Sequence, residues 1–357
     1  MSADADQTEW LRDRIVAAAQ EGAALMPRGS GSKAFYGRAV EAETLDVSGH
    51  RGIVHYEPTE LMLTVRAGTP LAEIDAALSD SGQMLAFDPP HFGGTGTIGG
   101  AVAAGLSGPG RPFSGAVRDH VLGVRVIDGS GNVERFGGEV MKNVAGYDVS
   151  RLMAGSLGTL GVIVEVSLKV LPRPAAVRTA RIETSPGDLY RRIEDTLRCG
   201  TPVTAAAHDG ETARVRLAGA ASAVTAGLER LGGGIDEDDG FWARLRDHEL
   251  PFFTGGESEE ALWRISLPPG SPPPDLAGSS VVDWAGQLFW LRTVEPAERV
   301  RKAAAALRGH ATRLRGPQDG VDPFAPLPEP LMRFHRRLKQ ALDPAGILNP
   351  GRMYAEL

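Results

Sequence analysis

Between Asp88 and Gly100 the chain reads Asp-Pro-Pro-His-Phe-Gly-Gly-Thr-Gly-Thr-Ile-Gly-Gly. This stretch excludes the fold that its glycines first suggest. Gly94-Thr95-Gly96-Thr97-Ile98-Gly99 has the spacing of a diphosphate loop between a buried strand and a helix, a weak pattern in a chain with 45 glycines. That loop must follow a strand, and Asp88-Pro89-Pro90-His91 cannot supply its last residues, because proline removes ladder donors. Asp119 stands at a fitting distance but comes before the next strand rather than at its end. That strand, Val121 to Ile127, runs through Asp128-Gly129-Ser130-Gly131 into Asn132 to Phe136, which is a hairpin. A nucleotide-binding βαβ unit needs a crossover helix there.

What remains is a backbone chemistry shared by separate loops. Arg28-Gly29-Ser30-Gly31-Ser32 offers successive N–H groups with little steric cover, two hydroxyl donors and a cation, a nest suited to a diphosphate. Thr97-Ile98-Gly99-Gly100 opens a small-residue helix, Gly100 to Leu106, whose start favours an anion. Gly155-Ser156-Leu157-Gly158-Thr159-Leu160-Gly161 repeats the pattern before a strand. Taken singly, each loop reads as a turn or as close backbone packing. Three of them in one chain point to a bound anionic cofactor.

The totals narrow the setting. At 357 residues the chain suits two packed domains, and a net charge of −7 offers no basic surface for nucleic acid. One cysteine, Cys199, allows no internal disulfide and fits a reducing compartment. The acidic start, with Asp4, Asp6 and Glu9, is not a signal peptide, and no apolar run reaches the roughly 18 residues of a spanning helix. A cytoplasmic protein is expected, meeting a membrane only through partners.

Periodicity predicts a first helix over Glu9 to Gln20, short strands at Leu45–Val47, Gly52–Tyr56 and Leu61–Ala67, and a helix over Pro70 to Asp80 with Thr69 as its cap. Val162 to Leu171 alternates apolar residues with Glu165, Ser167 and Lys169, the pattern of a half-buried strand. Pro172-Arg173-Pro174 marks a boundary. The expected division is residues 1–174, then an α+β segment over 175–325 with a mostly antiparallel sheet, then a terminal helix and tail over 326–357. Trp284 and Trp290 read as core residues of the middle segment.

The order of these motifs resembles the FAD-binding proteins of the p-cresol methylhydroxylase/vanillyl-alcohol-oxidase type, and the resemblance covers nearly the whole chain. It implies an α+β fold: a two-subdomain FAD-binding domain followed by an α+β cap. Arg28, Gly29, Ser30, Gly31 and Ser32 match the family's first pyrophosphate loop. Pro89, Pro90, His91, Thr97, Gly99 and Gly100 match the loop that passes from the flavin ring to the pyrophosphate. Ser107, Gly108, Arg118 and Asp119 resemble the next segment beside the cofactor. The most specific block is Lys142 to Asp148 running into Gly155–Gly161, which adds Gly158, Thr159, Gly161 and Val162. The terminal Asp343 to Arg352 matches the family's last signature and brings Asn349 back to the flavin.

Within the family the nearest resemblance is to the smaller FAD-binding subunits of bacterial glycolate oxidases. It rests on Ser30 to Phe35, His50 to Val54, Phe136 to Asn143, Leu262 to Pro268 and Asn349 to Leu357. The implied partners are a catalytic FAD subunit and an iron–sulfur subunit. The implied reaction is the oxidation of glycolate to glyoxylate, with electrons passed on to a membrane acceptor.

Oxidising a 2-hydroxy acid on a flavin needs a base for the hydroxyl proton and a cation for the carboxylate. Related catalytic chains carry a histidine-rich metal block, whereas the eight histidines here are scattered; no metal site is expected. Cys199 alone cannot hold an iron–sulfur cluster. His91 could serve as the base, since the resemblance places its loop near the flavin ring, but a loop or packing histidine is the favoured reading. Tyr147, His310 and Arg313 read as structural, so no catalytic residue is assigned. Two functions stay open: an electron-transferring FAD subunit, or a self-sufficient flavin dehydrogenase for a 2-hydroxy acid.

Overall fold

The computed structural model describes residues 5–138, 147–256, 259–317 and 319–357. Most of the Lys142 to Asp148 block falls outside them. The chain forms two compact units. The first gathers residues 1–107, 116–172 and 326–357, and the second 108–115 and 173–325.

The first unit opens with a helix, Thr8–Glu21, that buries Leu11, Ile15 and Ala18 on one stripe. Two four-residue strands, β1 (Leu25–Arg28) and β2 (Glu43–Asp46), then pair in parallel. The main sheet of this unit comprises β3 (Ile53–Glu57), β4 (Met62–Arg66), β6 (Val121–Ile127), β7 (Val133–Gly137) and β8 (Val162–Lys169), in the order β3-β4-β8-β6-β7. All its pairings are antiparallel. A small second pair joins β5 (Gln83–Met84) to β9 (Leu171–Pro172).

The last strand of the main sheet departs from the half-buried reading. Every residue from Val162 to Leu168 is buried, because β8 lies in the middle of the sheet. Its polar positions find partners rather than water. Glu165 meets Arg125 at 3.0 Å and Arg135 at 3.4 Å, and the Ser167 hydroxyl lies 2.8 Å from that of Thr64. Alternation alone does not reveal which polar residues are paired.

The helix predicted from Pro70 runs over Leu71–Asp80 with Pro70 just outside it. Thr69 does not cap it. Its hydroxyl donates to the Arg66 carbonyl at 2.7 Å and accepts from the Gly52 N–H at 2.9 Å, tying two strands together. The small-residue helix spans Ile98–Ala104, and Thr97 is its cap.

The second unit is built on an eight-stranded antiparallel sheet: β10 (Ala176–Ile182), β11 (Val203–His208), β12 (Ala213–Gly219), β13 (Gly234–Ile235), β14 (Ala261–Ser266), β15 (Ser279–Asp283), β16 (Leu288–Thr293) and β17 (His310–Arg315). The order is β13-β10-β12-β11-β15-β16-β14-β17. Helices lie at Leu189–Arg198, Ala221–Leu231, Phe241–Arg246 and Ala297–Ala306, as an α+β segment requires. β17 is an edge strand that the sequence reading left unassigned. Trp284 and Trp290 are buried core residues.

Candidate functional site

The first unit contains a cleft of about 1000 Å³, counting the space open to solvent, and loops distant in sequence form its walls. One wall begins where β1 ends. Arg28 leads into Gly29, Ser30, Gly31 and Ser32, all of which line the cleft. A turn closes there, with the Ala34 N–H donating to the Gly31 carbonyl at 3.0 Å. Gly31 has φ +76°, and a side chain on it would run into the Arg28 guanidinium.

The facing wall is the start of the Ile98–Ala104 helix. Thr97, Gly99, Gly100, Ala103 and Ala104 line the cleft, and the Thr97 hydroxyl accepts from the Gly100 N–H at 3.4 Å. Thr97 also fixes the distance between the walls, since a Cβ on Gly29 would collide with its hydroxyl. Gly99 is confined to glycine by its neighbours. Its N–H donates to the Ala67 carbonyl at 2.8 Å, and a Cβ would lie 2.6 Å from that of Ala67. The helix is thereby seated on the end of β4, so the constraint comes from backbone packing.

The remaining walls come from Leu157, Gly158, Gly161 and Val162, and from the terminal segment through Asn349 and Arg352. Asn349 holds a left-handed backbone, φ +45°, a conformation asparagine adopts more readily than most residues with a side chain. Its N–H donates to the Leu25 carbonyl at 2.8 Å and its Nδ2 to the Leu157 carbonyl at 2.7 Å. Asn349 Oδ1 is buried beside the cleft with no hydrogen-bond partner among the described residues. A buried acceptor of this kind calls for a donor from outside the chain.

A buried ionic knot holds this segment in place. Lys339 Nζ donates to Asp343 at 2.6 Å and to the carbonyls of Leu348 at 2.6 Å and Thr159 at 2.9 Å. The Asp343 carboxylate also receives the N–H groups of Ile347 and Leu348. Burial lowers the Lys339 pKa against the opposing pull of Asp343.

The structure separates the remaining sequence-predicted residues from the cleft lining. Pro89 and Pro90 are buried, and His91 Nε2 lies 3.3 Å from Asp75 Oδ2. The Ser107 hydroxyl accepts from the Val117 N–H at 3.2 Å. Arg118 and Asp119 are exposed, with the Asp119 carboxylate accepting from the Ala116 N–H. The Thr159 hydroxyl is spent on the Ser156 carbonyl at 2.7 Å. Gly108 belongs to the second unit. Tyr147 is exposed, and Arg313 is engaged by Asp319 at 2.6 Å within the second unit.

Several lining residues escaped the sequence reading: Pro27, Lys33, Tyr36, Val47, Ala67 and Arg352. Arg352 had a visible signal, three residues beyond Asn349 in the same terminal block. Its guanidinium donates to the carbonyls of Arg38, Ala34 and Tyr36 at 2.6, 2.9 and 2.7 Å and so braces the loop beyond Ser32. The cleft thus joins polar backbone, hydroxyls and the cationic side chains of Arg28, Lys33 and Arg352. The crowded glycines and the unmet Asn349 acceptor fit a large anionic cofactor with hydrogen-bonding groups along its length.

Residues 3–137 match the family described as FAD binding domain. The chain is 49% identical over 358 aligned residues to the glycolate oxidase subunit GlcE of Escherichia coli, with both chains covered in full. The chain belongs to the GlcE family. FAD is its cofactor, and it is an FAD-dependent oxidoreductase of the p-cresol methylhydroxylase/vanillyl-alcohol-oxidase type. A partial relative is the glycolate oxidase subunit GlcD of Bacillus subtilis, 32% identical over 157 residues, or 43% of this chain and 33% of that one. Among solved structures, an alkyldihydroxyacetonephosphate synthase superposes with a TM-score of 0.68 at 16% identity, covering 96% of this chain and 74% of its own. That likeness concerns the fold.

Proposed function

We propose that this chain is the FAD-binding subunit of a glycolate oxidase assembly, which oxidises glycolate to glyoxylate and passes the electrons to an iron–sulfur subunit. The observation that carries this reading is the glycine-walled cleft, found in a chain that matches a glycolate oxidase subunit from end to end. Residues Arg28 to Ser32, Thr97 to Gly100, Gly158, Gly161, Val162 and Asn349 would hold the cofactor. FAD, when bound, supplies a two-electron acceptor for the alcohol carbon.

The chain's own residues bind and orient. The Gly29–Ser32 backbone and the Ser30 and Ser32 hydroxyls suit the diphosphate. The Asn349 Oδ1 would accept a hydrogen bond from the cofactor, and the Lys339–Asp343 knot keeps Asn349 at its station. With a single cysteine, the chain has no thiolate set for an iron–sulfur cluster, so electrons leave through a partner. Among the described residues no helix is long and apolar enough to cross a membrane. Attachment to a membrane would therefore run through the assembly.

The test is anaerobic stopped-flow of the isolated, FAD-loaded chain with glycolate and with D-lactate, followed by the same experiment after adding the partner subunits. Bleaching of the flavin slower than about 1 per second alone, and faster in the assembly, is the expected result. Fast bleaching by the isolated chain would reject the subunit reading in favour of a stand-alone 2-hydroxy-acid dehydrogenase.

A further inference from the structure

We propose that the outward face of the terminal helix is the docking surface for the subunit that takes electrons from this chain, with Phe334 as its anchor, an inference that rests on the assembly reading. The helix spans Glu329–Leu342. Its inner face is committed. Met332 and Lys339 are buried there, and Lys339 holds the Asp343 knot behind Asn349. The outer face is not covered. Leu331, Phe334 and Leu338 are 50, 60 and 37% exposed, and their spacing of three and four places them on one stripe. The other exposed large apolar residues among the described ones stand one to an element or loop, as ordinary surface residues do. A contiguous apolar stripe marks a contact surface instead.

The charges beside the stripe select its occupant. On one flank of the helix, Arg336 is closed by Glu329 at 2.9 Å and by Glu356. Farther round, Arg333 and Arg337 are exposed and make no ion pair among the described residues. The helix dipole favours cations towards this end, which accounts for arginines there but not for an uncovered phenylalanine. A second copy is a poor fit. Two-fold pairing would bring these arginines towards one another, and Glu329, the one carboxylate of the helix, is already engaged. An anionic lipid surface suits the helix, but the chain as a whole has a net charge of −7 and is repelled by it. What fits is a protein with an apolar socket for Phe334 and with carboxylates facing Arg333 and Arg337.

Among the subunits of such an assembly, the electron acceptor is the one this position serves. Electrons that reach the flavin must leave the chain. The terminal helix both presents the uncovered stripe and, through the Lys339 bonds to Asp343 and to the Leu348 carbonyl, anchors Asn349 in the cleft wall. A partner seated on it would rest on the segment that holds the cofactor. Ion pairs at the rim would guide it into place and give the encounter its salt dependence.

The experiment titrates the full-length, FAD-loaded chain with the separately purified iron–sulfur subunit and with the companion flavin subunit, at low and at high salt. The variants are Phe334→Ser and the double charge reversal Arg333→Glu with Arg337→Glu. Phe334→Ser should weaken binding of the iron–sulfur subunit at least about ten-fold, as the loss of an anchor does. The charge reversal should weaken it by a similar factor at low salt and by less at high salt. Both variants should keep their FAD, with Tm within about 2 °C of the parent, because exposed positions contribute little to stability. Unchanged affinity in either variant overturns the proposal, and so does a fall in Tm or FAD content that accounts for the lost binding. Three other results overturn it by giving the stripe a different occupant. These are affinity lost only for the companion flavin subunit, a change in the chain's own self-association, or lost binding to vesicles of phosphatidylserine and phosphatidylcholine in equal parts. A parent chain that binds neither subunit would overturn the assembly reading itself, so the two failures are distinguishable within one titration series.

Discussion

In the first unit, glycines and alanines crowd the walls of the cleft, whereas the second unit fills its interior with aromatic rings. Ala67, Gly99, Gly100, Ala103, Ala104 and Gly161 face the cleft, and their small size leaves room for a ligand. The second unit instead buries Trp263, Trp284, Phe241 and Phe253 almost completely. Its arginines lie on those rings: Arg214 on Phe241 at 4.2 Å, Arg111 and Arg264 on Trp284 at 4.4 and 4.8 Å. Such stacks contribute roughly 0.5–2 kcal/mol each. One unit is thus shaped by backbone approach with a volume kept open, and the other by side chains that close it.

The comparison breaks most readily at the ionic knot. Replacing Lys339 by Met strands the buried Asp343 carboxylate and should destabilise the first unit by about 3–5 kcal/mol, with loss of FAD. Denaturant unfolding with flavin release as a second probe checks this. A stable variant that keeps its flavin would show that the cleft does not depend on the terminal segment.

Next in size are two glycines. Gly99→Val drives its side chain into Ala67, and Gly131→Val, at φ +83°, drives its own into Val16 of the first helix. Each should cost about 3 kcal/mol by overpacking and strain. Only Gly99→Val should also abolish FAD binding in the protein that remains folded, because Gly131 does not line the cleft. Equal flavin retention would separate the Gly99 helix from the cofactor.

In the second unit the expected weakness is acid. His248 stacks on Phe253 at 4.3 Å and meets Trp290 at 4.6 Å, and burial, aided by the charge of Arg315, lowers its pKa to about 3. The folded pKa lies below the unfolded value. The contribution to stability is therefore complete above about pH 6.5 and is lost as pH falls towards 3. By pH 5 the loss should be on the order of 2 kcal/mol, and His248→Phe should flatten that slope. A parallel pH dependence in parent and variant would remove His248 from the account. Smallest of all, Arg198→Ala breaks only exposed pairs with Glu194 and Asp195 and should change stability by less than about 0.5 kcal/mol.

The hairpin of β6 and β7, the helix after Pro70 and the α+β character of the second unit could be read from the sequence, because their signals are local. The glycine loops were equally visible, and the structure brings Arg28–Ser32, Thr97, Gly99, Gly100, Gly158, Gly161, Val162 and Asn349 to one cleft. Residues that act over long separations were not legible. Arg352 acts on carbonyls more than 300 positions earlier. The burial of β8 was missed for the same reason, since Glu165 and Ser167 are satisfied by neighbouring strands. Four-residue β1, with a proline inside it, carries almost no periodic signal.

The segment that ends the cleft wall also sets a timetable for synthesis. Leu348 pairs in parallel with Leu25, and the Asn349 N–H reaches the Leu25 carbonyl, so residues made first wait for residues made more than 300 positions later. The second unit, whose main stretch is continuous over residues 173–325, emerges in the interval and has its own core. At typical rates of about 5–20 residues per second, that interval lasts tens of seconds. The nascent first unit therefore spends it with an open edge, and FAD is expected to be captured after translation rather than during it.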